Sequence, residues 1–332
     1  MVRLQTASRL HFGLLSLTAD GTQWPDRNGT LCLPARRFGG AGLMVEHPGI
    51  RVRTEQSKSW SAKGPLAERA TAFARRFLQS VTAARADGTP CEIVIEEASA
   101  EHAGLGTGTQ LGLAVASCLA TEWRLPLSAS ELARHIGRGE RSALGVHGFE
   151  HGGFLVEGGQ GSPGSLSPLI ARAAFPADWR IVLARPLGSP GMHGDAERAA
   201  LSRLSIPLSA VDALCRLVML GMLPALVERD IRAFGEALFD FNARAGEVFA
   251  PFQGGVYASA IIESLVCFIR DRKIAGVGQS SWGPTVFAVL ESEDEARNLS
   301  AALRSRYAAD CEVIVTAAAN RGAYFLPNSG PT

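Results

Sequence analysis

The stretch HAGLGTGTQLGLAVASCLA, from His102 to Ala120, is a glycine-rich turn running straight into an apolar helical segment, and it constrains the fold more than any other part of the chain. Such a turn leaves the N–H groups of the first helical residues unpaired and pointing outward, where the helix dipole adds partial positive charge. Phosphate or pyrophosphate is the natural guest. At Gly104, Gly106 and Gly108 the missing side chains let an anion approach the backbone, while Thr107 and Thr109 offer hydroxyls to phosphate oxygens or metal-bound water. The spacing is not that of a Walker loop, and no lysine follows. A tight turn with a purely structural role is the other reading of these residues.

The surrounding pattern alternates helices and strands. Upstream, Leu66, Ala70, Phe73, Phe77, Leu78 and Val81 recur at helical spacing, and Cys91, Ile93 and Ile95 then alternate as in a strand. Val2–Leu17 and Ala41–Glu46 read as strands around a turn region at Asp20–Pro34. Ser128 and Glu131 have capping-box spacing and open a short helix that Gly137 stops. Beyond it, Phe154–Glu157 and Trp179–Arg185 read as strands, and Ala196–Leu204, Ala210–Leu223 and Ile231–Ala245 as helices. A glycine-rich turn at Gly276–Pro284, a strand at Thr285–Leu290, a Ser292/Glu295-capped helix to Tyr307 and a strand at Cys311–Thr316 complete the pattern.

At 332 residues the chain exceeds what one compact core holds, so two domains are expected: 1–185 with the glycine loop, and 186–325, followed by a tail at 326–332. A net charge of +1 provides no general footprint for nucleic acid or anionic membrane, so any phosphate must be held locally. Lys58, Lys63 and Lys273 are the only lysines, which leaves arginine to do the holding. Six scattered cysteines without a CxxC pair fit reduced thiols and a cytoplasmic location. The apolar run Leu10–Leu17 is too short and too interrupted for a signal peptide or a membrane span.

GLGTGTQLGLAVA resembles the phosphate-loop motif of the GHMP kinases, where a proline-led GLGSSAA run cradles nucleotide phosphates; Thr107–Gln110 departs from that run. Together with SRLHFGLL at Ser8–Leu15, FGGAGL at Phe38–Leu43, RGERSALGVHGFEHGGF at Arg138–Phe154 and GVGQSSWGPTVFAV at Gly276–Val289, the chain resembles the β-ribofuranosylaminobenzene 5′-phosphate synthases of that superfamily. The resemblance implies a two-domain α+β fold, with a ribosomal-protein-like α/β domain first and a ferredoxin-like α+β domain second. It implies that phosphoribosyl pyrophosphate and 4-aminobenzoate, or 4-hydroxybenzoate, give a C-riboside, carbon dioxide and pyrophosphate, on the way to methanopterin-type carriers. It also suggests a homodimer.

That chemistry needs no covalent nucleophile. Mg2+ on the pyrophosphate improves the leaving group, the anomeric carbon gains oxocarbenium character, and an electron-rich ring attacks through the carbon bearing its carboxylate. The candidate catalytic residues are Arg9, His11, Glu197 and Gln279. Arg9 and His11 stand two apart on a strand and so share a face. Glu197, with Asp195, is a candidate for contacting metal-bound water or stabilising positive charge at the anomeric carbon; helix capping is the alternative for Asp195. Candidates for holding substrate and phosphate are Arg37, His102, Gly104, Leu105, Gly106, Thr107, Gly108, Thr109, Gln110, Arg138, Arg141, Ser142, Ser280, Ser281 and Trp282. Guanidinium forks match phosphate oxygens, and Arg138 and Arg141 are preferred over Arg134 because they lie in the glycine-bounded RGERS turn; a solvated helical face is the plain alternative. Trp282 lines the slot for the ring or packs between domains. An ATP-dependent small-molecule kinase and a non-catalytic binding protein are the competing functions.

Overall fold

The computed structural model describes residues 1–17, 23–25, 32–34, 36–81, 88–188, 191, 194–204, 206–308 and 310–327; at 23–25, 32–34 and 195–198 it describes the backbone alone. Strand β1 (Val2–Ser16) alternates buried and half-buried residues as far as Leu10 and is then mostly buried, because both of its faces become covered. After the short pair β2 (Gln23–Pro25) and β3 (Cys32–Pro34), β4 (Gly39–Gln56) runs antiparallel along β1. It does not stop near Glu46, where Pro48–Gly49 imitates a turn. A register shift between Thr6 and Ser8 absorbs that dipeptide and the strand continues.

Then come β5 (Ser61–Lys63), α1 (Ala67–Val81), β6 (Cys91–Glu97), α2 (Thr107–Glu122), α3 (Ala129–His135), α4 (Leu144–His151), β7 (Phe154–Glu157) and β8 (Leu169–Ala173). The first sheet has the order β1–β4–β6–β5, with β7 pairing both β4 and β8. Helix α2 is buried on nearly every side, its Leu111, Leu113, Val115 and Leu119 packed among α1, α3 and the sheet. Ser128 and Glu131 make the capping box of α3, and Gly137, at φ 63°, follows its end. Helix α4, with Gly145 and Gly148 in its short span, has little propensity of its own and escaped the sequence pattern. It persists because Gly148 lets Met44 pack closely and because a carboxylate caps its start.

The second part comprises β9 (Arg180–Pro186), α5 (Gly194–Arg203), α6 (Leu208–Leu217), a π-helical turn at Val218–Met222, α7 (Leu223–Glu228), α8 (Ile231–Gln253), α9 (Ala260–Arg270), β10 (Gly276–Gln279), β11 (Val286–Leu290), α10 (Glu293–Tyr307) and β12 (Cys311–Thr316). The sheet order is β10–β11–β9–β12, all antiparallel. Half of the expected turn at Gly276–Pro284 is therefore strand β10, and α8 extends past Ala245 through Pro251 to Gly254, whose φ of 85° ends it. Strand β13 (Tyr324–Phe325) returns to pair with β1.

The sheets divide the chain before Arg180, not at residue 185, since β9 is an inner strand of the second sheet, and β13 rejoins the first sheet. The two parts share a core. Phe12 lies 6.1 Å from Phe154 of the first sheet and 5.0 Å from Phe287 of the second, centroid to centroid, among residues of α6, α7 and α8. The segment Leu208–Glu228 is long and apolar enough to cross a membrane, but Leu214, Leu217, Val218, Met222 and Leu226 are buried in that core.

Candidate active site

A cleft of about 450 Å³ opens where the two parts meet. Its floor is Arg9 and His11 of β1; one wall is α1, α2 and the turn at residues 137–142; the other is α8 and the loop after β10. Of the residues singled out in the sequence, Arg9, His11, Thr109, Arg138, Arg141, Ser142, Gln279, Ser281 and Trp282 line it.

The rest of the glycine loop shapes the cleft from behind. Gly106 caps α2 in the left-handed conformation, at φ 70°, and a β-carbon there would come within 3.1 Å of Arg9 Nε. At Gly108 a β-carbon would collide with the Arg69 guanidinium and lie 3.4 Å from that of Arg138. The glycines thus make room for arginines as well as for an anion. Gly104 backs onto the backbone of Ser280 and Gly283, and Leu105 is in the core. Thr107 does not offer its hydroxyl to a ligand. It is buried, donates to the Ala100 carbonyl at 2.8 Å and shares a hydrogen bond with Ser99. Gln110 is equally committed, accepting from Thr6 Oγ1 and donating to the Gly145 carbonyl.

Ser280 is a clasp: its Oγ donates to the Gly104 carbonyl at 2.7 Å and accepts from the His11 amide at 3.0 Å, tying β1, the glycine loop and the second sheet together. Gln279 is held by Asn242, whose Oδ1 accepts from its amide and whose Nδ2 donates to its carbonyl. The remaining candidates stand apart from the cleft. Arg37 pairs its backbone with Gln160 and lies over the Phe38 ring, His102 is exposed beyond the loop, and Arg134 is exposed on α3. The side chains of Asp195 and Glu197 lie outside the described residues.

The sequence reading missed two cations and one acid. Arg69 and Arg76 of α1, seven residues apart and hence on one helical face, join Arg138 and Arg141. Burial and then the charges of Arg69, Arg141 and Arg76 push the Arg138 guanidinium down to about 10; Arg69 has an acidic partner in Glu101. Arg138 also lies over the Phe73 ring, 4.9 Å from its centroid, and among the described residues its buried Nε has no hydrogen-bond partner. So many guanidinium groups crowded together suit a multiply charged anion. Glu157, the one charged residue in the FLVE strand β7, lies behind the RGERS turn. It accepts from Ser142 Oγ at 2.5 Å and the Ala143 amide at 2.7 Å, while burial pushes its carboxyl up to about 7.

The other end of the cleft is apolar. Trp282, nearly buried, meets Phe249 of α8 at 4.5 Å between centroids, with Leu14, Phe38 and Leu201 beside them. Between the ends stands His11. Its pKa is held well below the ordinary imidazole value by burial and by the adjacent charge of Arg9, so the ring is neutral at pH 7. Among the described residues no three His, Cys, Asp or Glu groups converge to hold a metal.

The fold is that of the GHMP kinases: residues 68–154 match the GHMP kinases N terminal domain, and residues 222–309 match GHMP kinases C terminal. Solved structures agree. Homoserine kinase from Cytophaga hutchinsonii has a TM-score of 0.68 at 16% identity, with 98% of this chain and 97% of that one covered. Phosphomevalonate kinase of Streptococcus pneumoniae has a TM-score of 0.67 at 10% identity, over 96% and 100%. Full-length similarity narrows the class. The chain is 33% identical to a β-ribofuranosylphenol 5′-phosphate synthase of Archaeoglobus fulgidus over 97% of this chain and 98% of the relative, and 30% identical, over the same shares, to one of Methanothermobacter thermautotrophicus. The chain belongs to the β-ribofuranosylphenol 5′-phosphate synthase family.

Proposed function

We infer that the protein is a decarboxylating pentosyltransferase, joining the ribose 5-phosphate of phosphoribosyl pyrophosphate to a benzoate that carries an electron-donating group para to its carboxylate. The observation that carries this reading is the two-ended cleft: Arg9, Arg76, Arg138 and Arg141 at one end for a phosphorylated donor, Trp282 and Phe249 at the other for a flat ring. The relatives are named for a ribofuranosyl phenol, which favours 4-hydroxybenzoate as acceptor, with 4-aminobenzoate as the alternative. Their full-length match supports a synthase over the kinases that share only the fold.

The donor is bound by guanidinium forks and the start of α2, the ring is stacked beneath the anomeric carbon, and the bound substrates together must exclude water that would hydrolyse the donor. Magnesium, on this reading, arrives on the pyrophosphate as part of the substrate. EDTA added to the free protein is expected to leave the melting temperature unchanged, whereas a resident ion would make it fall. On this reading the product belongs to methanopterin-type carrier synthesis, and the absence of disulfides among the described residues supports a reducing, cytoplasmic setting. The homodimer is part of this proposal; the exposed Met219, Leu220 and Val227 are apolar residues that a second copy would cover.

Carboxyl-labelled acceptor tests the reading. A synthase releases labelled carbon dioxide in step with pyrophosphate and needs no ATP. Label retained in the ring product, or stoichiometric ATP consumption, would put a kinase in its place.

A further inference from the structure

His11 is placed for more than contact. Its backbone is fixed on both sides, the amide donating to Ser280 Oγ at 3.0 Å and the carbonyl accepting from the Ser281 amide at 2.9 Å. Its ring edge faces Gly40: a β-carbon at that glycine would lie 3.2 Å from Cε1 and 3.4 Å from Nε2, so the FGGAGL motif keeps space beside the imidazole. The residue is only 5% exposed, yet it lines the cleft, and among the described residues its ring nitrogens take part in no hydrogen bond. A neutral, positioned imidazole that the fold does not use for its own bonding is available to a substrate proton.

We propose that His11 takes the hydroxyl proton of a phenolic acceptor during ring attack and returns it to the product, which rests on the synthase reading above. The steps balance. The ring carbon bearing the carboxylate forms a bond to the anomeric carbon while the bond from that carbon to the pyrophosphate oxygen breaks, its electron pair leaving with pyrophosphate. The hydroxyl becomes strongly acidic as the ring loses electrons, so even a weak imidazole base removes its proton, leaving a cyclohexadienone. The bond to the carboxylate then breaks, carbon dioxide leaves, and the pair restores the aromatic ring as a phenolate. The imidazolium hands the proton back. An amino acceptor does not need this relay. Its adduct is an iminium ion that already draws electrons from the breaking carboxylate bond, and decarboxylation gives the neutral aniline directly.

The consequence is a defect that depends on the acceptor. In His11→Gln, which keeps hydrogen bonding but lacks basicity, saturated turnover of 4-hydroxybenzoate is expected to fall about 10²- to 10⁴-fold, the usual worth of a positioned base, and that of 4-aminobenzoate far less. Because both acceptors are assayed on one preparation, any misfolded fraction cancels in the ratio. A measurement on the unaltered enzyme stands beside it: single turnover should be slower in heavy water with the hydroxy acceptor and not with the amino acceptor. Equal losses with both acceptors in the variant, or equal isotope effects in the unaltered enzyme, overturn the relay. Failure of the unaltered enzyme to join either acceptor to the ribose overturns the synthase reading itself.

Discussion

At the scale of single residues, Glu157 makes the sharpest demand on the fold. Burial raises the carboxyl from 4.5 to about 7, outweighing four groups that favour its charged form: the Ser142 hydroxyl, the Ala143 amide, the Ser167 side chain and the Arg9 guanidinium. The unfolded chain releases this proton near pH 4.5 and the folded one only near 7, so between those values the native state binds more protons and stability falls as pH rises. The contribution is fully present below the unfolded value and is lost through about pH 7; its size is about 3 kcal/mol. Glu157→Gln cannot titrate. Thermal melts from pH 4 to 8 should therefore show the variant gaining on the unaltered protein as pH rises, and a constant offset across that range would remove the buried carboxylate as the cause.

Among elements, α1 shows what the sequence withheld. The period of its apolar residues was legible, and so was the helix, but the purpose of its polar face was not: Arg69 and Arg76 become site residues only because α2 and the RGERS turn are brought alongside. Arg76→Ala should weaken binding of phosphoribosyl pyrophosphate about 10- to 100-fold by calorimetry, the range for a charge-assisted hydrogen bond, with little change in melting temperature because the side chain is exposed. Unchanged donor affinity would return Arg76 to the solvated face. The glycine loop was legible in outline, since turn and helix follow from its pattern. Burial decided the rest. Thr107 and Gln110 look like ligand-binding groups in the sequence, but their polar atoms satisfy Ser99, Ala100, Thr6 and Gly145. Nor does spacing reveal that Ser280 joins three distant segments, since its partners lie far away along the chain.

At the scale of the whole molecule, the two parts read from length meet in a core that both sheets share. Phe12, from the first strand, fills the space between Phe154 and Phe287. Phe12→Ala should cost about 3–5 kcal/mol, as large aromatic deletions in cores do. The loss should be felt everywhere: denaturant unfolding followed by Trp emission, to which Trp123 and Trp179 in different clusters contribute, and by far-UV circular dichroism should keep coincident midpoints that shift together. Separate midpoints would mean that the two sheets unfold independently.

The pairing of β13 with β1 has a bearing on how the chain is made. Leu4 and Gln5 leave the ribosome among the first residues of the first sheet, while their partners Phe325 and Tyr324 come from the far end of the described chain. Throughout synthesis that edge of β1 has unpaired backbone groups, the kind of edge to which another nascent strand can add. That ladder closes only after the rest of both sheets has been translated, so slowing elongation before Tyr324 would prolong the period in which the half-made protein is vulnerable to its neighbours.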